Sequence, residues 1–339
     1  MKLEPEDRVR IESFAKLVGS EPLQGTANGV VSITDSVVRG AATGVVVTTG
    51  LSREYDCGGP IPVAVLKSLP SGPVDVKWSR EQIEIRRGRS RRIVVRTAAA
   101  IPLMPDVPTD GWRGVESQTR IMTGLKAIFN VSSGGSRNQP WFGNVMVGPG
   151  LSQIIGGSEL ELIRLGSLDQ TDSIAISGTS LMTALKTIPH DDLECAVSSH
   201  GVFLRAGSWS AYVAASIHTL PRLLVDVVIR EPRGERYRFD VDRLVPAVRS
   251  VGRLSPLAAL RRTGLVAIDG PIRVSSPIPM HDLPECIVPV KTLEQLISNR
   301  SDPEIIDMVV SGSPPNRITC DGPDFRFMAQ THAPGREYR

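Results

Sequence analysis

The sequence predicts an α+β protein of three similar domains, each assembled from two halves that join a short helix to a small sheet. Three observations predict it. A helix-then-strands unit recurs along the 339 residues, its equivalent leucines Leu66, Leu185 and Leu296 lying little more than a hundred residues apart. A second helix-then-strands unit precedes each of these three. The chain is also long for a single core, and its 41% hydrophobic and 22% charged residues are ordinary for a globular protein.

The elements follow in order. Residues 6–19, "EDRVRIESFAKLVG", carry apolar side chains at helical spacing, and strands follow in "GVVSITDSVVRGAATGVVVTTG". In residues 62–95, Val63, Leu66 and Leu69 form one helical face and Pro70 ends the turn. "VDVKW", "IEIRRG" and "RRIVVRT" then alternate as strands. The second domain opens on the helical "SQTRIMTGLKAIFNVS" (117–132), before strands in "FGNVMVGPGLSQIIGGSELELIRLG". In it, "VGPGLSQIIGG" reads as a hairpin turn, since its glycines lack dinucleotide-binding spacing.

The second half of that domain places Leu181, Leu185 and Ile188 on one helical face, with "SGTS" (177–180) as the N-cap and Pro189 as the stop. "LECAV", "GVFLRAG" and "AYVAAS" are its strands. The third domain repeats the scheme with helices in "DVDRLVPAVRSVGRLS" and "VPVKTLEQLISNR". Its strands are in "TGLVAIDGPIRVSSP", "IIDMVVSG", "NRITCDG" and "FRFMAQ". Polar, Gly/Pro-rich joints near 104–117 and 230–236 set domain limits of 1–113, 114–232 and 233–339.

A short amphipathic helix cannot bury its stripe alone, so two per domain are expected side by side on sheet faces. Unpaired sheet edges at the two ends could then meet a second chain and close a ring. The polar helix faces carry Arg8, Arg10 and Lys16, then Lys67, then Arg120 and Lys126, then Lys186, then Arg243, Arg249 and Arg253, and finally Lys291. On one helix such cations read as a solvated face. Repeated on six equivalent helices in a chain of net charge only +3, they favour a shared cationic lining suited to a phosphate backbone.

Catalytic signatures are missing. There is no G-x-x-x-x-G-K-[ST] and no G-x-S-x-G, and the five histidines lack metal-ligand spacing. Glu159 and Glu161 share a strand face, but nothing else converges on them. The basic run "RRGRSRR" (86–92) spans a hairpin turn and reads as solvated. No enzyme activity, metal or cofactor is therefore expected. Cys57, Cys195, Cys286 and Cys320 form no C-x-x-C pair, which predicts reduced thiols. With neither a signal-peptide pattern nor a bilayer-length apolar run, the expected location is the cytoplasm.

Over nearly its whole length this pattern resembles the β sliding clamps, ring-shaped processivity factors of bacterial DNA polymerases, in a divergent form compatible with phage origin. The best local matches are residues 58–97, "AISGTSLMTALKTIP", "RFDVDRLVPAVRSVGRLS" and "FRFMAQ". The resemblance implies a clamp fold closed into a ring by a head-to-tail homodimer around double-stranded DNA, associated with the nucleoid. It further implies tethering of a DNA polymerase catalytic subunit and loading by a separate ATP-dependent clamp loader. Carried onto this chain, the family's partner-peptide pocket would include Phe142, Leu160, Leu162, Pro221, Val227 and Met328. Three departures fall there: "GGSELELI" (156–163) replaces a "TDGHRL"-like segment, Leu220-Pro221 replaces Phe-Pro, and "QTHAPGREYR" follows Met328-Ala329. The competing reading is a repeat-built interaction protein that binds partner peptides without encircling DNA.

Overall fold

Alternating apolar and polar residues become antiparallel sheet in both units of the chain. The computed structural model describes residues 5–18, 30–42, 44–62, 75–79, 82–87, 89–95, 101, 104–132, 138–166, 173–189, 192–230, 232–261, 264–267, 275–276, 286–298, 305–311, 317–322 and 325–331. Its helices, among the described residues, are α1 (Pro5–Val18), α2 (Gln118–Ser132), α3 (Gly178–Thr187), α4 (Arg222–Ile229), α5 (Val241–Gly252) and α6 (Val290–Ser298). Five of them fall where the helical spacing predicts. The helix expected over 63–69 lies outside the described residues.

One unit comprises Met1–Gln118 and Ile176–Ile217. Its main sheet runs β1 (Val30–Ala42), β2 (Val45–Pro62), β13 (Trp209–Ala214), β12 (Gly201–Ala206), β11 (Glu194–Ser198) and β6 (Arg113–Gly114). The β2–β13 pairing joins early strands to strands from the middle of the chain. α1 buries Ile11 and Phe14, and Phe14 stacks on Trp209 with ring centroids 5.4 Å apart. Where β2 bulges, Ser52 donates its backbone N–H and hydroxyl to buried Asp7 at 2.8 and 2.7 Å, which fixes α1 to the sheet. Ser177 caps α3 as its sequence suggests, accepting from the Ser180 N–H at 3.3 Å.

A separate three-stranded sheet holds β3 (Asp75–Trp78), β4 (Gln82–Arg87) and β5 (Ser90–Val95). The arginine-rich run does form the β4–β5 turn, with Arg87 opposite Ser90.

The other unit comprises Thr119–Ala175 and His218–Arg339. Its eight-stranded sheet has the order β10 (Ile174–Ser177), β7 (Asn144–Val147), β8 (Gln153–Gly157), β9 (Glu161–Gly166), β21 (Phe325–Gln330), β20 (Arg317–Gly322), β19 (Ile305–Ser311) and β14 (Glu235–Asp240). A four-stranded sheet has the order β17 (Ser275–Ser276), β16 (Gly264–Ala267), β15 (Leu257–Arg261) and β18 (Cys286–Pro289).

The helices on these sheets obey their stripes. α5 buries Leu244, Ala247, Val248 and Val251 and leaves Arg243 and Arg249 in solvent, while Asp240 caps its start by accepting from the Asp242 N–H at 2.9 Å. α2 lies so close to β8 that a Cβ on Gly156 would stand 2.6 Å from Ile128 Cγ2.

Two features depart from the sequence reading. The polar joints are not plain linkers: Arg113–Gly114 adds β6 to β11, and residues from Glu235 onward form β14 on β19. α4 is also unanticipated, because its "RLLVDVVI" is only eight residues long, about two turns, and reads equally as a strand-like apolar run.

The turn into β8 generates a stability prediction. Gly166 has φ +83° and opposes Gln153, and a Cβ there would lie 1.6 Å from the Ser152 carbonyl oxygen. Gly166→Ala should lower unfolding free energy by about 2 kcal/mol or more, read as a reduced urea midpoint. An unchanged midpoint would show that the turn relaxes freely.

Candidate peptide groove and cationic helix faces

Leu162 and Met328, two residues of the expected peptide pocket, meet because β9 and β21 pair antiparallel. Leu162 opposes Met328, and Arg164 opposes Arg326. Period-two alternation puts these four on one face of the sheet, while Ile163 and Leu165 belong to the other, which α2 covers. α4 packs over the first face against β9 and β21. The result is an apolar cluster of Trp141, Ile155, Leu162, Leu220, Val228 and Met328, with Met146, Leu224, Val225, Val227 and Ile229 half-buried against it.

A turn brings Trp141 in, closed by the Asn144 N–H donating to the Trp141 carbonyl at 3.0 Å. Asn144 Nδ2 in turn donates to the His218 carbonyl at 2.8 Å, tying this turn to the segment that leads into α4.

The residues carried over by resemblance are placed as follows. Leu162 and Met328 sit in the cluster, and Val227 packs at its edge. Exposed Pro221 is the N-cap of α4, directly after buried Leu220. Leu160 is 41% exposed just before β9, its carbonyl accepting from the Gln330 N–H at 2.8 Å. Phe142 is half-buried beside Trp141 but is not itself in the cluster. Leu223, in the first turn of α4, is 79% exposed. Leu220, which the sequence reading set in place of the family's Phe, does enter the cluster, whereas Trp141, Ile155, Val228 and Arg326 were missed. Only Ile155 had a usable signal, the alternation of β8.

Glu161 lies on the α2 side of β9 by the same alternation. The Thr292 hydroxyl of α6 donates to its carboxylate, and Lys291 stands nearby. Burial pushes the Glu161 carboxyl above the ordinary glutamate range, opposed by the Thr292 hydrogen bond and the Lys291 charge.

The cations proposed as a lining fall into distinct groups. Arg120 and Lys126 are exposed on α2, Lys186 on α3, Arg243 and Arg249 on α5, Lys291 on α6, and Arg253 just beyond α5. Each of these helices buries its opposite side. Arg10 differs: it is half-buried, and its guanidinium donates to the Gly50 carbonyl. Arg243 stands 4.0 Å from Asp240, an exposed pair that contributes little. Exposed Glu6, Glu12, Asp242 and Glu294 share these helices. Lys67 and the side chains of Arg8 and Lys16 lie outside the described residues.

Among the described residues, no three His, Cys, Asp or Glu side chains gather to hold a metal, and no helix is long and apolar enough to cross a membrane. Cys195, Cys286 and Cys320 are buried and stand in no disulfide among the described residues. Burial pushes the Cys286 thiol up to about 12, so it stays protonated and unreactive.

Neither a protein-family model nor a curated protein sequence matches the chain. Solved structures do. A putative DNA polymerase III β subunit from Eubacterium rectale superposes with a TM-score of 0.74 at 9% identity, over 96% of this chain and 97% of that one. The DNA polymerase sliding clamp of Pseudomonas aeruginosa, solved with a ligand, gives 0.72 at 13% identity over 98% of both chains. The Helicobacter pylori β clamp, solved bound to a DNA ligase peptide, gives 0.71 at 8% identity over 98% of this chain and 99% of that one. The fold is that of the β sliding clamps. The clamp fold accounts for the recurring helix-and-strands units, and it extends along essentially the whole chain.

Glu161 gives β9 a pH signature. A carboxyl whose folded pKa is raised favours folding most below the ordinary glutamate pKa, and that contribution is lost as pH rises through the folded value. Urea unfolding of the wild type and Glu161→Gln between about pH 4 and pH 7 should show the wild type losing stability relative to the variant as pH rises. Parallel curves would mean that the carboxyl titrates normally.

Proposed function

We propose that this chain is a DNA sliding clamp, a processivity factor without a catalytic site of its own. Two copies close head to tail into a ring around duplex DNA, each contributing three clamp domains, residues 1–113, 114–232 and 233–339. The observation that carries this reading is the likeness to β clamps along the full length of both chains, at TM-scores of 0.71 to 0.74. The exposed cations of α2, α3, α5 and α6 support it, because charge without base readout holds DNA while allowing sliding. A separate ATP-dependent loader opens the ring, since the chain carries no phosphate-cradling loop. The protein works in the cytoplasm, at the nucleoid.

The apolar cluster beneath α4 is the docking groove for short peptides of the DNA polymerase catalytic subunit and other partners. A few anchors sunk in such a groove supply most of the affinity. The departure of "GGSELELI" from the family's segment makes its partner motif distinct.

The deciding experiment loads the protein onto circular and linearised DNA with an ATP-dependent loader, then separates bound from free by gel filtration. A clamp stays on the circle and runs off the linear form. Equal retention would favour the non-encircling peptide binder instead. Sedimentation at micromolar concentration should give the mass of two 36.6 kDa chains.

Leu160→Ala should weaken binding of a DNA-ligase-derived peptide about tenfold with little change in melting temperature, measured by fluorescence anisotropy. Full-strength binding would place the peptide elsewhere. Reversing Arg120 and Lys126 together to glutamate should weaken DNA binding and reduce its salt dependence by about one to two counterions, measured by titration across ionic strength.

A further inference from the structure

Arg326 breaks the logic of the strand that carries it. β21 reads F-R-F-M-A-Q, and alternation assigns Arg326 and Met328 to the same face. On an open sheet face an arginine needs no explanation. Here α4 covers that face, and Arg326 is only 4% exposed, opposite the equally buried Arg164. Burying a guanidinium is costly unless its donors are satisfied.

Its Nη1 donates to the carbonyl oxygens of Val228, Ile229 and Arg230, at 3.0, 3.0 and 2.6 Å. These carbonyls close α4. At a helix C-terminus such groups lack partners within the helix and form the negative end of its dipole, so a cation there is favoured twice over. α4 has eight residues, too few to persist by itself in water. At its other end, Pro221 gives no side-chain cap. Upstream, the Asn144–His218 hydrogen bond holds the segment that enters α4; along α4 itself the apolar contact with the sheet is non-directional, and the grip of Arg326 on its last turn is directional.

We propose that Arg326 is the positioning residue of the peptide groove. By holding the last turn of α4 it sets how closely Val227 and Val228 approach Leu162 and Met328, and so the shape of the slot that a partner peptide enters. This inference rests on the peptide-groove reading for its functional consequence, but the grip itself is a statement about α4 alone.

The test uses the full-length protein with Arg326→Met and Arg326→Lys. Methionine keeps the apolar stem and removes every donor. Lysine keeps the charge, but its ammonium is a compact point on a shorter reach. Amide hydrogen exchange by mass spectrometry would follow residues 222–230, with β11–β13 as an internal control. Fluorescence anisotropy would follow a DNA-ligase-derived peptide as the probe.

In the methionine variant, exchange in 222–230 should accelerate at least roughly tenfold while the control strands stay protected, and probe affinity should fall roughly tenfold. The lysine variant should recover part of both. Unchanged exchange in 222–230 overturns the proposal, as does acceleration spread evenly over the whole chain with affinity merely tracking melting temperature. If the methionine variant does not fold, selective acceleration in the lysine variant supports the proposal and unchanged exchange there overturns it. Failure of the wild type to bind the probe would instead refute the peptide reading, and the exchange data would still decide the grip on α4.

Discussion

The pairing of β9 with β21 is the constraint on which the rest of its unit depends. It splices a strand from the middle of the chain to a strand near its end, in a register that sets Leu162 against Met328 and Leu165 against Phe325. A slip of one residue would exchange every inward and outward side chain. Leu165 would then leave α2, Leu162 would leave the cluster under α4, and the Glu161 carboxylate would turn away from Thr292. The apolar surfaces on both faces hold the register, because each alternative exposes one of them.

The two faces are finished by different means. α2 has a stripe, a close approach over Gly156 and enough length to be a sound helix, so packing alone accounts for its place. α4 is shorter, with Arg222 and Asp226 on one side and Leu224 and Val228 on the other. Several of its residues are only half-buried. Such an element is suited to a surface that partners share, since the apolar area it leaves in water is available to a second molecule. The same incompleteness explains why a buried arginine, rather than another leucine, is tolerated near the start of β21. The helix terminus supplies the oxygen atoms that a charge in that place requires.

Identities of 8 to 14% to solved clamps, with agreement in fold over nearly the whole chain, show what the fold demands of a sequence. It demands alternation in the strands, stripes on the longer helices, and stops between them. Particular side chains are free to change within that pattern. "GGSELELI" makes the turn between β8 and β9 and the start of β9.

The sequence by itself determined the element order, because each periodicity is a local property. The stripes of Ile121, Leu125 and Ile128, or of Leu244, Val248 and Val251, need no knowledge of what they pack against. The cap at Ser177 and the turn within "RRGRSRR" were legible for the same reason. Only the tertiary structure decided which strands become neighbours, that the polar joints complete sheet edges as β6 and β14, and that Trp141 rather than Phe142 enters the cluster. Arg326 marks the boundary between the two kinds of information. Its place in an alternating strand says "outward", and nothing within the strand reveals that a helix from a hundred residues earlier covers that side. Burial is a property of pairs of surfaces, so it becomes visible only when both surfaces are in place.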